Sequence, residues 1–203
     1  MATTTSRKNG SGRRAATTTG DVLAMLTADH RDVEKLFVAF EEAGDRAYKT
    51  KRRLVDQMIE ALSVHAFVEE QVLYPAARHD VASAGDDVLE AVEEHHIVKW
   101  ELQELLDLDA TDEQFTAKVA VLSENVRHHV REEEKELFPL LRSKLPKARL
   151  QELGVQLEEA RAVAPHHPHP RLPAERPDRL LQDAVSSVID RTKEAVQSVR
   201  SAS

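Results

Sequence analysis

Two stretches of the chain pair a histidine with an acid at the same spacing. His65-Ala-Phe-Val-Glu69-Glu70-Gln-Val-Leu-Tyr-Pro75 and His129-Val-Arg-Glu-Glu133-Glu134-Lys-Glu-Leu-Phe-Pro139 each place a Glu four residues after the His, a second Glu next, and then Leu-aromatic-Pro. His65 and His129, Glu69 and Glu133, and Pro75 and Pro139 are all separated by the same 64 positions, so the chain carries an internal repeat. Residues four apart on a helix lie on one face, which sets each imidazole beside its carboxylate. Neutral imidazole together with carboxylate oxygen suits divalent iron, manganese or zinc.

A further histidine precedes each copy by about 35 residues, His30 before His65 and His95 before His129. Periodicity selects which of two adjacent histidines faces inward. Val88, Val92, Val98 and Leu102 fall three or seven residues from His95, whereas His96 meets Lys99 and Gln103 at those steps. By the same test His129 sits among Leu122, Val126 and Val130, and His128 faces outward. Six residues of ligand type therefore converge: His30, His65, Glu69, His95, His129 and Glu133. Buried carboxylates are costly without partners, and a bound cation removes that cost. Glu70 and Glu134, repeated alongside, either orient the histidines or lie solvated on the helix surface.

Amphipathic helices are required to position these groups, and the composition agrees. The 203 residues include 32% charged, 4% aromatic, six Gly and no Cys. This favours long helices, predicts no strands, and excludes iron–sulfur clusters, thiolate sites and disulfides. A first helix is expected from an Asp21 N-cap to a stop near Gly44, with Leu23, Leu26, His30, Val33 and Phe37 inward. A second is expected from Lys49 to Tyr74, ended by Pro75, and a third from Asp87 to Leu108. A fourth is opened by a Thr111-Asp-Glu-Gln114 capping box. The predicted fold is an all-α, up-down-up-down four-helix bundle over residues 20–145, built of two hairpins about a pseudo-twofold axis. An accessory C-terminal helix follows over 146–164, opened by Pro146, then a Pro/His-rich linker over 165–177 and an amphipathic tail helix over 178–203. Residues 1–19 read as a disordered basic tail.

The net charge of −8 argues against nucleic acid as a partner. No run of apolar residues is long enough for a transmembrane segment, and the N-terminus lacks the apolar region of a secretory signal, so a cytoplasmic location is expected. The tail helix offers a surface for self-association, partner docking or a membrane interface.

The segments Ala28-Asp-His30-Arg-Asp-Val, His65 to Pro75, Glu94-His95-His96-Ile-Val-Lys and His129 to Pro139 resemble the hemerythrin-like HHE cation-binding family over about Asp21 to Leu145. The resemblance implies two non-haem Fe ions with an oxo or hydroxo bridge. His30 and His65 would bind one, His95 and His129 the other, and Glu69 and Glu133 would bridge them. Oxygen-carrying hemerythrins differ by a second histidine one turn after the third-helix His, where this chain has Lys99. The fourth-helix acid is also a Glu four after its His, where the carriers have an Asp five after. A more open site follows, suited to reaction with dioxygen, peroxide or nitric oxide in oxidative or nitrosative stress, including catalase-like peroxide consumption. The alternative is an iron-dependent oxygen, NO or redox sensor without turnover. A ferritin-like di-iron bundle fits less well, because it needs a Glu-x-x-His on each of two helices.

Overall fold

The computed structural model describes residues 20–170. The basic stretch 1–19, the end of the Pro/His-rich segment and the tail over 178–203 lie outside the described residues. Helix α1 spans Val22–Glu41 and starts where Asp21 accepts the Ala24 N–H at 2.9 Å. It buries Leu23, Leu26, His30, Val33 and Phe37, one stripe at steps of three and four. Gly44 makes no left-handed stop, since no described glycine has a positive φ; α1 closes with the Glu42 N–H on the Val38 carbonyl.

Helix α2 spans Tyr48–Val68 and does not run unbroken to Pro75. It widens into a π turn over Glu69–Leu73, and α3 (Tyr74–Asp80) continues the rod with Pro75 in its first turn. The reason lies in the proline itself. In a regular helix its ring would press on the carbonyl of Gln71, four residues back. The Tyr74 N–H instead bonds the Glu69 carbonyl, five residues back, and the wider turn accommodates the ring. After a 3-10 turn at Ala82–Ala84, α4 spans Gly85–Asp107. Helix α5 (Phe115–Glu132), a second π turn (Glu133–Leu137) and α6 (Phe138–Lys144) reproduce the first arrangement, with Pro139 in the place of Pro75. The capping box expected at Thr111–Gln114 does not form. Asp109 accepts from the Thr111 N–H at 2.8 Å and Asp112 from the Gln114 N–H at 2.8 Å, so aspartate turns satisfy the loop donors and α5 begins at Phe115 without a side-chain cap.

Helices α1 and α2 form one hairpin, α4 and α5 the other, and α2 packs on α4. Among the described residues there is no strand. Two apolar cores result. One gathers Leu23, Leu26, Val68, Leu73, Leu137 and Leu141; the other gathers Val33, Phe37, Leu62, Val98, Phe115, Leu122 and Val126. On each helix the candidate ligands fall between the two: His30 between Leu26 and Val33, His65 between Leu62 and Val68, His95 between Ala91 and Val98. The polar layer is thus clamped between two close-packed apolar blocks, where a full burial of each large side chain contributes roughly 1.5–3 kcal/mol.

Helix α7 (Lys147–Arg161) lies across α1, α2 and the first π turn, inserting Leu150, Leu153 and Leu157 into the first core. The described part of the Pro/His segment rests on the bundle rather than extending away. Pro168 and Pro170 are buried, His166 lies 2.8 Å from Glu60, and the His96 Nε2–H donates to the Pro170 carbonyl at 3.0 Å.

Gly154 is the point of closest approach between α7 and the start of α1. A Cβ there would run into the Gly20 carbonyl oxygen and sit 3.3 Å from the Met25 sulfur. Gly154→Ala is therefore expected to lower stability by about 1–3 kcal/mol, measured by denaturant unfolding. The neighbouring exposed Val155→Ala is expected to leave it within about 0.5 kcal/mol.

Candidate metal centre

All six residues singled out by spacing meet in the layer between the cores, and all are buried, His30, His65, His95 and His129 at 3–5% exposure and Glu69 and Glu133 at 0% and 2%. His96 and His128, their neighbours, have side chains 48% and 53% exposed. The histidines face each other in pairs: Nε2 of His30 is 3.2 Å from Nε2 of His65, and Nε2 of His95 is 3.1 Å from Nε2 of His129. Each glutamate reaches one member of both pairs. Glu69 Oε2 lies 3.1 Å from His65 and 3.3 Å from His95; Glu133 Oε2 lies 3.4 Å from His30 and 3.6 Å from His129. Two cation-sized seats follow, one in reach of His30, His65, Glu69 and Glu133, the other of Glu69, His95 and His129.

The outer nitrogens decide what the inner ones offer. Each Nδ1 faces an acid: Glu134 at 2.9 Å from His30, Asp29 at 3.5 Å from His65, Glu70 at 3.0 Å from His95 and Glu94 at 2.8 Å from His129. An acid at Nδ1 holds the proton there and turns the Nε2 lone pair inward. Three of these acids are held by a fixed positive charge, Glu134 by Arg31 (2.6 Å), Glu70 by Lys99 (2.6 Å) and Asp29 by Arg161 of α7 (2.7 Å). Burial works against the ionised form of all three, yet the imidazole and the cation beside each keep its carboxyl below the usual range.

Spacing had flagged Glu70 and Glu134 but not Asp29 or Glu94. The signal was present, since each immediately precedes a site histidine in both repeats, Asp29-His30 and Glu94-His95. Each serves the histidine of the neighbouring helix in its own hairpin, whereas Glu70 and Glu134 reach across to the other hairpin. Tyr74 was also missed. Its hydroxyl donates to Glu133 Oε1 at 3.0 Å and lies 3.3 Å from His95 Nε2; burial and the adjacent Glu133 and Glu69 push its ionisation well up, so it stays a proton donor. The repeat-related Phe138 has no hydroxyl and stacks on His30 at 5.8 Å.

The layer fits a positive ion on its own geometry. Both Glu69 oxygens and Glu133 Oε2 are buried with no hydrogen-bond donor among the described residues. Protons fill the role when no ion does. Burial and the neighbouring Glu133 push Glu69 well above the usual carboxylate range, so it keeps its proton. Burial would also raise Glu133, but His129 and His30 beside it hold it low and ionised. Burial pushes His65 down to about 4 and lowers His95, leaving both neutral and able to ligate. His129 is raised despite burial, by Glu133 and its bond to Glu94.

Metal loading must therefore displace protons, and lowering the pH must favour the protonated, metal-free form. Two divalent ions per chain are expected to release on the order of one to two protons at neutral pH, read as the buffer dependence of the calorimetric heat. Affinity is expected to fall steadily as the pH is lowered, and a pH-independent affinity would contradict this proton inventory.

A family profile described as the hemerythrin HHE cation-binding domain matches residues 21–141. A protein named DNA nickase from Nostoc sp. is 28% identical over 142 residues, covering 70% of this chain but 38% of its own length. The chain thus spans well under half of that relative. A crystal structure of a hemerythrin HHE cation-binding domain-containing protein from Mycobacterium kansasii superposes with a TM-score of 0.59 at 23% identity, over 70% of this chain and 88% of the other, and shows the same fold. With a profile match that spans all four bundle helices and both histidine–glutamate repeats, the chain belongs to the hemerythrin HHE cation-binding family.

Proposed function

We propose that this chain is a non-haem di-iron protein in which His30 and His65 hold one iron, His95 and His129 hold the other, and Glu69 and Glu133 bridge the two. Its reactant in this reading is a small oxygen or nitrogen species, dioxygen, nitric oxide or above all hydrogen peroxide. One observation carries it: four imidazole nitrogens converge inside an apolar core with two carboxylates, three of whose four oxygens have no hydrogen-bond donor among the described residues. Two iron ions sharing an oxo or hydroxo bridge would supply two-electron redox chemistry at that point.

The chain's own residues set the access and the proton supply. Beneath the four histidines lies a cavity of about 20 Å³, walled by Val33, Leu62, Ala66, Val98, Val126 and Val130. It has room for one water-sized molecule, and its apolar walls admit a diatomic or peroxide while excluding larger or charged substrates. On the other side Tyr74 holds a proton between Glu133 and His95, in position to donate it to a reactant or a leaving oxygen. Lys99, standing where oxygen carriers have a further histidine, turns away from the centre and clamps Glu70 with 2.6 Å bonds to both oxygens. Two imidazoles per ion, and no more, supports reaction at both ions over reversible carriage. The net charge of −8 also supports a small ligand over nucleic acid, so the nicking activity named for the Nostoc relative is not carried over.

Protein from iron-fed cells is expected to contain two irons per chain, with near-ultraviolet oxo-to-iron absorption, and to consume peroxide. Glu69→Ala and Glu133→Ala are expected to lower iron content at least about tenfold, while His96→Ala and His128→Ala leave interior iron unchanged. Full iron with no peroxide turnover would refute the enzymatic part of the reading. Val126→Ile adds one methylene to the cavity wall and is expected to keep iron while slowing peroxide consumption by about tenfold. Equal rates in the variant would place the reactant elsewhere.

A further inference from the structure

The four acids that hold the site histidines differ in how they are themselves held. Glu134, Glu70 and Asp29 each carry a lysine or arginine partner at 2.6–2.7 Å. Glu94, whose Oε2 accepts the His129 Nδ1–H at 2.8 Å, has no Lys or Arg partner among the described residues. Its other oxygen points outward to His128 Nε2 at 3.5 Å, and that same nitrogen lies 3.3 Å from Glu132 Oε1. Glu94, His128 and Glu132 each present one ligand-type atom, all within 4.8 Å of one another.

The repeat makes the contrast sharper. The residues of the first hairpin that correspond to His128 and Glu132 are Val64 and Val68, and there α7 covers the surface and supplies Arg161 to Asp29. No helix of the described residues covers the second hairpin at this level, and the His128 side chain is 53% exposed, that of Glu132 39% and that of Glu94 18%. Where the first half has a guanidinium, the second has an imidazole and two carboxylates on the turns of α4 and α5. His128 and Glu132 stand one helical turn apart, so both can reach one ion without backbone movement.

We propose that Glu94, His128 and Glu132 form a second, outer cation site that takes one divalent ion of borderline type, such as zinc, cobalt, manganese or ferrous iron, with solvent completing the coordination. One nitrogen and two carboxylate oxygens at the surface match that class, and the open side leaves room for water. An ion seated there supplies Glu94 with the positive charge that Arg31, Lys99 and Arg161 supply to the other three acids. It thereby links surface cation binding to the orientation of His129. The site is distinct from the interior seats, sharing only Glu94 as a bridge between the layers.

The test uses the full-length protein with its interior metal in place, titrated with Co²⁺ in equilibrium dialysis and followed by the visible absorption of bound cobalt. One cobalt per chain beyond the interior complement is expected in the wild type. In His128→Ala and in Glu132→Gln that ion is expected to bind about tenfold more weakly or not at all, with interior metal content unchanged. His128 is exposed and Glu132 half-buried, neither in the apolar cores, so neither substitution is expected to unfold the bundle. No additional cobalt in the wild type overturns the proposal. So does additional cobalt of equal affinity in both variants, which would locate it at other surface histidines such as His79 or His166. Because interior metal is quantified separately, loss of the interior iron reading and loss of the outer site register in different measurements.

Discussion

Four lone pairs and two carboxylates pointing at one another in the middle of an apolar bundle are the constraint on which the rest depends. Nε2 atoms at 3.1 and 3.2 Å, with the outer nitrogens of His30, His95 and His129 bonded to acids and that of His65 3.5 Å from Asp29, repel unless something positive lies between them. In surroundings of low effective dielectric, an unpaired ionised carboxylate costs several kcal/mol. The chain assembles this arrangement from a duplicated motif and then closes it between two apolar cores, which only makes sense if cations or protons complete it. The outer ring follows from the same constraint. Each inward lone pair needs an acid behind its imidazole, and an acid at the edge of the core needs its own positive partner.

The π turns bring the acids and the aromatics to this layer. In an unbroken α-helix residues nine apart lie on nearly opposite faces, so Tyr74 would point away from the face that carries His65. The turn over Glu69–Leu73 inserts a residue into the winding, and Tyr74 swings back far enough to reach Glu133 and His95. The same insertion at Glu133–Leu137 turns Phe138 onto His30. Prolines at 75 and 139 fit this geometry, because a widened turn relieves the clash that a regular helix would impose. They are entry points to the next segment, not stops.

How much was legible follows from the same facts. Where the winding is regular, period alone placed His95 inside and His96 outside, and likewise His129 and His128, because a 100° step per residue separates neighbours cleanly. Across a π turn that arithmetic fails, which hid Tyr74 and made Pro75 read as an end. Asp29 and Glu94 escaped for another reason. They sit one step off the inward stripe of their own helices and act on the helix beside them, a relation that one-helix periodicity does not contain. Arg161 lies outside the repeat altogether, on α7, so nothing in the duplicated motif pointed to its bond with Asp29.

Duplication makes the two seats alike, and the positions that were not duplicated make them differ. Tyr74 faces the His95 side with a hydroxyl, while Phe138 offers His30 only a ring face. Lys99 clamps Glu70 from the same helix as His95, whereas the corresponding residue of α1 is Glu34, which pairs with Arg127 instead. Helix α7 packs on both helices of the first hairpin. The Tyr74 hydroxyl thus lies toward His95, and the ring stacking and helix α7 lie toward His30 and His65. A pair of ions in such a layer would be held by equivalent ligands yet meet different neighbours, a hydroxyl beside His95 and an aromatic ring face beside His30.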